Sequence, residues 1–363
     1  MVHVRRLWLQ NFRNYNDEEI TFSKGTTIVF GANGQGKTNL IEAINYLGTA
    51  TSFRGIPAEA LIRDTTETAI IRAEIIHQER ELLVEAEISK IRQNSISVNK
   101  QRIRPIRNLI GLIPITVFGP DDLSLVKAGP TGRRNYIDDL IVQSHPKNMK
   151  LRMDLETVLK QRNALLKQGK GRLNKEEEKT LDVWSEKFND LSHEWGTKRK
   201  NTLTQITQSA KKSYLELAGN KKEIDLIYKP EWMEKGLQNT LLTIRNDEIR
   251  RGTTLIGPHR DEIHIELANM PARTHASQGE QRTISLALRV AGHHLLNDVH
   301  KTKPILLLDD VFSELDEYRT KSLLQLLVAD QTFITTALEP EKNSTSKYLY
   351  VKEGKITENN IFQ

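Results

Sequence analysis

The chain has 363 residues, 53 of them Lys or Arg and 47 Asp or Glu, giving a formal net charge of +6. It contains no cysteine, which excludes disulfides, thiolate metal sites and cysteine nucleophiles. Mean hydropathy is −0.51, no apolar run approaches the ~18–20 residues of a membrane span, and the first residues enter a strand-like stretch without a secretory apolar core.

Val4-Arg-Arg-Leu-Trp-Leu9 alternates as a half-buried strand does. Thr26–Phe30 is a β-branched run ending at Gly31, and a helical stretch spans Asn39–Leu47. Ala69–His77 and Leu82–Ser89 read as strands, and Ser95–Val98 with Arg102-Ile103 as a hairpin. From about residue 132 to 220 the texture is helical and hydrophilic. Leu151, Leu155, Val158 and Leu165 fall at helical spacings, as do Leu181, Trp184, Phe188, Leu191 and Trp195. With a turn at Gln168–Asn174, the two seams predict an antiparallel helical hairpin. The aromatic stripe reads as that hairpin's own core, with base stacking by Trp184 or Trp195 as the alternative. An apolar helix is expected over Ile284–Leu296. Ile305–Leu308 has the continuous apolar character of a strand buried on both faces. Tyr348–Ile356 holds two short strands around Gly354. The expected organisation is an α/β head in two parts, residues 1–125 and 236–363, with an inserted helical arm over 126–235.

Gly31-Ala-Asn-Gly-Gln-Gly-Lys-Thr38 matches G-x-x-x-x-G-K-[ST] between a strand and a helix, the context a P-loop requires. The backbone of Gly31, Asn33, Gly34, Gln35 and Gly36, with Asn39 behind it, is expected to wrap phosphates. Lys37 reaches the β- and γ-phosphates, and Thr38 offers an oxygen to Mg²⁺. Ile305–Asp310 is an apolar strand ending in two carboxylates. Asp309 is placed to hold Mg²⁺, mostly through water, and Asp310 to orient or deprotonate the attacking water. Ala276-Ser-Gln-Gly-Glu-Gln281 precedes the apolar helix. Ser277 and Gly279 there form a second phosphate-binding surface, and Ser277 with Glu280 also reads as a capping box. ATP and Mg²⁺ are the expected cofactors.

The order of P-loop, long insertion, Ser-x-Gly-Glu and paired carboxylates resembles the ABC-type ATPase heads. In those heads the signature serine completes the ATP site of the opposite subunit, and Ser313-Glu-Leu-Asp316 looks like the loop that crosses that interface. The resemblance narrows through Leu9-Gln-Asn-Phe-Arg-Asn-Tyr15, Thr51-Ser-Phe-Arg54, Gly129-Pro-Thr-Gly-Arg-Arg134, Gly257-Pro-His-Arg-Asp261 and Leu307-Leu-Asp-Asp-Val-Phe-Ser-Glu-Leu-Asp316. These motifs, in this order, are similar to those of the RecF family. That resemblance implies an ABC-type P-loop head with a mixed sheet and an inserted helical-hairpin arm. It implies an ATP-dependent homodimer clamped on duplex or gapped DNA, slow DNA-stimulated hydrolysis, and RecR and RecO as partners. It further implies help in loading RecA on single-stranded DNA, in a cytoplasmic, nucleoid-associated setting of replication, recombinational repair and SOS response. Arg13 and Asn14 would lie near the nucleotide base. Arg54 would reach the phosphates, or is a surface arginine at a helix end. His259 and Arg260 serve either turn geometry or DNA. Pro120-Asp-Asp122 stands where other heads carry a glutamine loop.

Two departures bear on mechanism. Asp310 stands where most ABC heads have Glu, and Phe333-Ile-Thr-Thr336 stands where they have histidine, leaving the Thr336 hydroxyl to contact the γ-phosphate or the water. Both suit a switch better than a fast motor. An SMC-type structural head and a transporter motor are the alternatives; an arm of about 65 Å per side is short for a long tether.

The charge is polarised. Residues 147–222 hold 18 Lys/Arg against 10 Asp/Glu, so the remainder is nearly neutral. Residues 88–120 hold Lys90, Arg92, Lys100, Arg102, Arg104 and Arg107 without a carboxylate. Lys100, Arg102, Arg104, Lys198, Arg199 and Lys200 are therefore candidate phosphate-backbone contacts. No base-reading module is present, so the binding expected is sequence-neutral.

Overall fold

The protein is described here by a computed structural model over residues 1–104, 109–120, 125–127, 129–340 and 345–358. Arg107, Asp121 and Asp122 lie outside the described residues. Its contacts separate two compact units, residues 1–123, 216–218 and 289–363 in the first, 124–215 and 219–288 in the second.

Among the described residues, the first unit carries two six-stranded sheets. One is antiparallel and starts from the hairpin Val2–Phe12 and Tyr15–Thr21. It continues through Thr68–His77, Arg80–Ser89, Ser95–Val98 and the edge pair Gln101–Arg102. Its last turn puts both Asn99 (φ 50°) and Lys100 (φ 65°) in the left-handed region. That is the two-residue hairpin turn whose twist matches the strands, and it sets Lys100 at the tip. The other sheet is parallel at its centre, where Gly25–Phe30, Gln331–Thr336, Ile305–Asp309 and Ile115–Phe118 follow one another. Ser346–Lys352 adds to the far side of Gly25–Phe30, and Lys355–Glu358 closes that edge antiparallel.

The helix Lys37–Thr49 lies between the sheets. Its Leu40, Ile41, Ile44 and Leu47 share one core with Ile71 and Ile75 of the antiparallel sheet and with Leu307 and Phe333 of the parallel one. Ile305–Asp309 is buried at every position, as its unbroken apolar run predicts. Truncating a leucine there costs about 2–5 kcal/mol. The core thus fixes the strand that delivers Asp309 and the helix that delivers Thr38 as one packed piece.

The second unit is mostly helical. Asn148–Gln168 and the 44-residue Lys175–Ala218 form the expected hairpin. Asn174 starts the longer helix with a full capping box to Glu177. A third helix, Leu237–Arg251, joins them. Its fully buried Glu248 accepts a 2.6 Å hydrogen bond from Arg162, itself 1% exposed. A small sheet of Ile224–Ile227, His264–Leu267 and Met270–Pro271 completes the unit. The expected return to the head at residue 236 therefore differs from the observed division. Residues 236–288 contribute the partner of Arg162 and two strands to the second unit, and the signature segment goes with them. Charge texture changes near 236, but packing does not.

Candidate nucleotide site

The P-loop sits between a strand end and a helix start, and its backbone conformation demands glycine at two points. Gly31 has φ +145°, and a Cβ there would meet the Val351 carbonyl at 2.4 Å. Gly36 has φ +120°, and a Cβ would strike the Asn14 amide at 2.6 Å. Asn33 and Gly34 are exposed at the loop crest. Lys37 is buried, and its ammonium donates to the carbonyls of Gly31 at 2.8 Å and Ala32 at 2.9 Å. Burial lowers its pKa, opposed by the charges of Asp310 and Asp309. It is thus a cation held by neutral acceptors.

Thr38 donates to Asp309 Oδ1 at 2.9 Å, and Thr335 donates to the same oxygen at 2.7 Å. Burial raises the pKa of Asp309; its two hydroxyl donors and the Arg54 charge lower it, and Asp310 adds to the rise. Two hydroxyls and a buried carboxylate are oxygen ligands of the hard kind Mg²⁺ takes, so the residues fit the expected cation. Asp310 occupies the left-handed region (φ 50°, ψ 29°). Its N–H donates to Thr335 Oγ1 at 2.9 Å and its carbonyl accepts from Ser313 Oγ at 2.8 Å. That conformation is uncommon for a non-glycine residue and is held by bonds on both sides.

Four expected site residues are placed in detail, and one of them, Arg199, is corrected. The hydroxyl beside the carboxylates belongs to Thr335, which registers with Asp309 across the parallel pair. Thr336 is one residue further along the strand, and its hydroxyl accepts from the Leu338 N–H at 3.1 Å. Strand alternation decides between neighbours, and the sequence offers both. Arg13 is committed elsewhere: its guanidinium donates to the buried Glu42 carboxylate at 2.9 and 3.2 Å and to the Ala60 carbonyl at 3.0 Å. Asn14 braces the loop, donating to the Gln35 carbonyl at 2.7 Å and accepting from Asn39 at 2.8 Å. Gln35 is held from the other side by the N–H groups of Glu353 and Gly354. The fourth is Arg199.

Arg199 is 3% exposed. It grips Asp138 with two bonds of 2.7 and 2.8 Å and donates to the Pro258 carbonyl and Asp261. Trp195, one turn earlier on the same face, donates to Asp138 at 3.1 Å. Tyr228 and Trp232 donate to Asp261 at 2.5 and 2.7 Å. Consecutive helical residues point about 100° apart, so Lys200 is exposed and Lys198 is half-buried beside Glu194 while Arg199 faces inward. Neither Arg199 nor Trp195 can reach DNA. His259 belongs to the same interior: it bonds the Thr254 carbonyl at 3.2 Å, and burial pushes its pKa down to about 4.

In the second unit, Gln278–His300 begins at the signature segment. Ser277 donates from N–H and hydroxyl to Glu280, and accepts the Glu280 N–H at 3.3 Å. Lys222 bonds the same carboxylate, the first cause of its lowered pKa. Gly279 has open space where a Cβ would stand. The helix N-terminus thus stands beside the Ser277 hydroxyl, with the Glu280 carboxylate capping it.

A P-loop, a buried Asp309 bonded to its threonine and a serine-capped signature helix define an ABC-type ATPase head. The RecF/RecN/SMC N-terminal domain family matches residues 3–357. The DNA replication and repair protein RecF of Streptomyces avermitilis is 38% identical over 357 residues, 94% of this chain and 95% of that one. Its counterpart in Acidothermus cellulolyticus is 32% identical over 368 residues, 98% and 99% of the two chains. A solved structure of the recombination mediator protein RecF-ATPrS in the RecFOR pathway superposes with a TM-score of 0.91 at 27% identity, over 99% of this chain and 98% of that one. An Smc head from Pyrococcus furiosus, 18% identical with a TM-score of 0.55, shares the fold. The chain belongs to the RecF family.

Proposed function

We propose that this chain is an ATP-gated DNA clamp of recombinational repair, hydrolysing ATP slowly with Mg²⁺ and stimulated by DNA. The observation that carries the reading is the bond from Thr38 to the buried Asp309 beside the caged Lys37 ammonium. Thr38 and Asp309 would hold Mg²⁺, whose chemistry there would be to neutralise phosphate charge. Lys37 would move from the loop carbonyls to the phosphates, and Asp310 would orient the water.

Hydrolysis needs a second copy, because the signature surface of Ser277 and Gly279 serves the site of the opposite subunit in heads of this type. ATP thereby drives homodimerisation, and Ser313–Asp316 lies in the interface. An aspartate for glutamate and threonine for histidine favour slow turnover over rapid cycling. The DNA contacts are Lys100, Arg102 and Arg104 on the antiparallel sheet's edge hairpin, with Lys198 and Lys200 on the long helix. All but Lys198 are exposed. Among the described residues, Lys100 and Arg102 make no ion pair, so their charge is available to phosphates. RecR and RecO are the protein partners, and RecA loading at gaps the outcome, in keeping with relatives of a RecFOR pathway. Among the described residues no helix is long and apolar enough to cross a membrane.

Sedimentation with and without ATP tests the gate. ATP should convert monomer to dimer, Lys37→Met should abolish the shift, and one mass under both conditions would refute it.

A further inference from the structure

A backbone N–H that binds phosphate is aimed by the carbonyl on the other side of its own peptide unit. The unit is planar and trans, so its C=O and N–H point in opposite directions. Holding the Gln35 carbonyl therefore fixes the Gly36 N–H, and holding the Gly36 carbonyl fixes the Lys37 N–H. Both carbonyls are held from outside the loop. That of Gln35 accepts from the Asn14 amide at 2.7 Å and from the Gly354 N–H at 3.1 Å. That of Gly36 accepts from the Tyr15 hydroxyl at 2.8 Å, besides the Leu40 N–H of its own helix at 3.1 Å. Tyr15 and Gly354 are both buried. The two carbonyls thus point into the protein, and the N–H groups of Gly36 and Lys37 point out of it.

These donors come from two hairpin turns near opposite ends of the chain. Asn14 and Tyr15 stand where the N-terminal hairpin reverses, beside the pair Phe12 and Tyr15. Glu353 (φ 49°) and Gly354 (φ 72°) join Ser346–Lys352 to Lys355–Glu358. A two-residue turn of this kind closes through its flanking residues and leaves its two central N–H groups to other acceptors. Both go to Gln35, Gly354 to the main-chain carbonyl and Glu353 to the side-chain oxygen at 2.7 Å. Sheet register places them there. Tyr350 pairs with Phe30 in parallel, so the turn emerges beside the loop that follows Phe30. The two turns also touch each other. A Cβ on Gly354 would stand 2.3 Å from the Asn14 carbonyl, and that carbonyl accepts from Arg63 at 2.8 Å.

We infer that Asn14, Tyr15 and the turn Glu353–Gly354 are positioning residues that set the N–H groups of Gly36 and Lys37 for phosphate before a nucleotide arrives. None of them meets the phosphates; they act through the carbonyls of Gln35 and Gly36. The inference rests on ATP binding at the Lys37 loop. A loop ordered in advance does not lose that freedom on binding, and the gain appears as affinity. The backbone of such a loop cradles the α- and β-phosphates, which ATP and ADP share. The brace therefore serves both nucleotides equally and leaves the hydrolytic step alone. It also makes the C-terminal hairpin, which supplies no residue of the P-loop motif, part of the nucleotide site.

The test uses the full-length chain and two variants. Tyr15→Phe removes only the hydroxyl, and Gln35→Met keeps the side-chain length but loses the acceptor for the Glu353 N–H. Each should weaken ATP and ADP binding by the same factor, about 2–10-fold, the scale of one hydrogen bond. For Tyr15→Phe the KM for ATP should rise with kcat unchanged, the mark of lost uniform binding. A role in stability alone would instead lower the melting temperature and the active fraction, and leave KM where it was. Amide hydrogen exchange reads the turn directly. The Glu353 amide should be protected in the wild type, exchange faster in Gln35→Met, and regain protection in Gln35→Glu, which keeps the acceptor oxygen. Unchanged affinities in both variants, a loss for ATP without one for ADP, a lower kcat at constant KM in Tyr15→Phe, or Glu353 exchange indifferent to Gln35 would overturn the brace and leave nucleotide binding intact. Failure of the wild-type chain to bind either nucleotide would sink the parent reading together with this one.

Discussion

The nucleotide loop and the long helix of the second unit both carry a buried basic residue, and the two do opposite things. Lys37 is caged by carbonyl oxygens at 2.8 and 2.9 Å, neutral groups it can leave. Arg199 is clamped by two carboxylates inside a ring of Trp195, Tyr228 and Trp232. A lysine among carbonyls is poised for a ligand. An arginine saturated by carboxylates is the ligand of its own fold. Basic residues thus divide by what satisfies them and not by how many share a segment.

The sharpest way to break that contrast is Arg199→Met. It leaves Asp138 and Asp261 buried without their counter-charge, and should destabilise the protein by about 3–5 kcal/mol in a denaturant titration. The folded fraction should bind DNA as the wild type does. A stable variant with weakened DNA binding would reverse the assignment. Lys37→Met should do the converse, leaving the melt nearly unchanged while lowering turnover by about 10²–10³-fold, the scale of losing one transition-state donor.

A smaller effect is expected at the edge hairpin. Removing Lys100 or Arg102 should weaken DNA binding equally across sequences and reduce the salt slope by about one each. Removing Lys200 provides the same test on the long helix. Salt slopes unchanged by all three substitutions would move the DNA surface elsewhere.

The smallest effect is a pH dependence shared by both units. His259 and His293 are each pushed by burial from 6.5 to about 4. Each is neutral in the folded state while the unfolded chain takes up a proton below about 6.5. Stability is therefore full above that pH, and falls as the pH drops from 6.5 to 4. His259→Gln and His293→Gln should each flatten that decline when melts are followed from pH 7 to pH 4.

What was legible in the sequence follows the same physics. Gly31, Lys37, Thr38 and Asp309 could be read because phosphate binding fixes both residue type and spacing, and the apolar run Ile305–Leu308 announces its own burial. The choice of Thr335 over Thr336 depends on strand phase beside a partner strand, which a pair of identical neighbours conceals. Gln35 and Glu353 lie near opposite ends of the chain and carry no shared pattern; only the fold brings them together. Arg199 was misleading because it stands between Lys198 and Lys200, although its spacing of four from Trp195 already sets it on the aromatic, inward face. The boundary near residue 236 failed for a related reason. Helix Leu237–Arg251 is hydrophilic in texture, and the bond from Arg162 to Glu248 that ties it to the arm helices spans 86 residues.

In the proposed clamp, ATP couples nucleotide binding to DNA capture. The most direct measurement is the affinity for gapped duplex across a salt series, with and without ATP, for wild type and Lys37→Met. The wild type should bind more tightly with ATP at every salt concentration, and the variant should show no ATP effect. Equal affinity of the wild type with and without ATP would contradict the clamp.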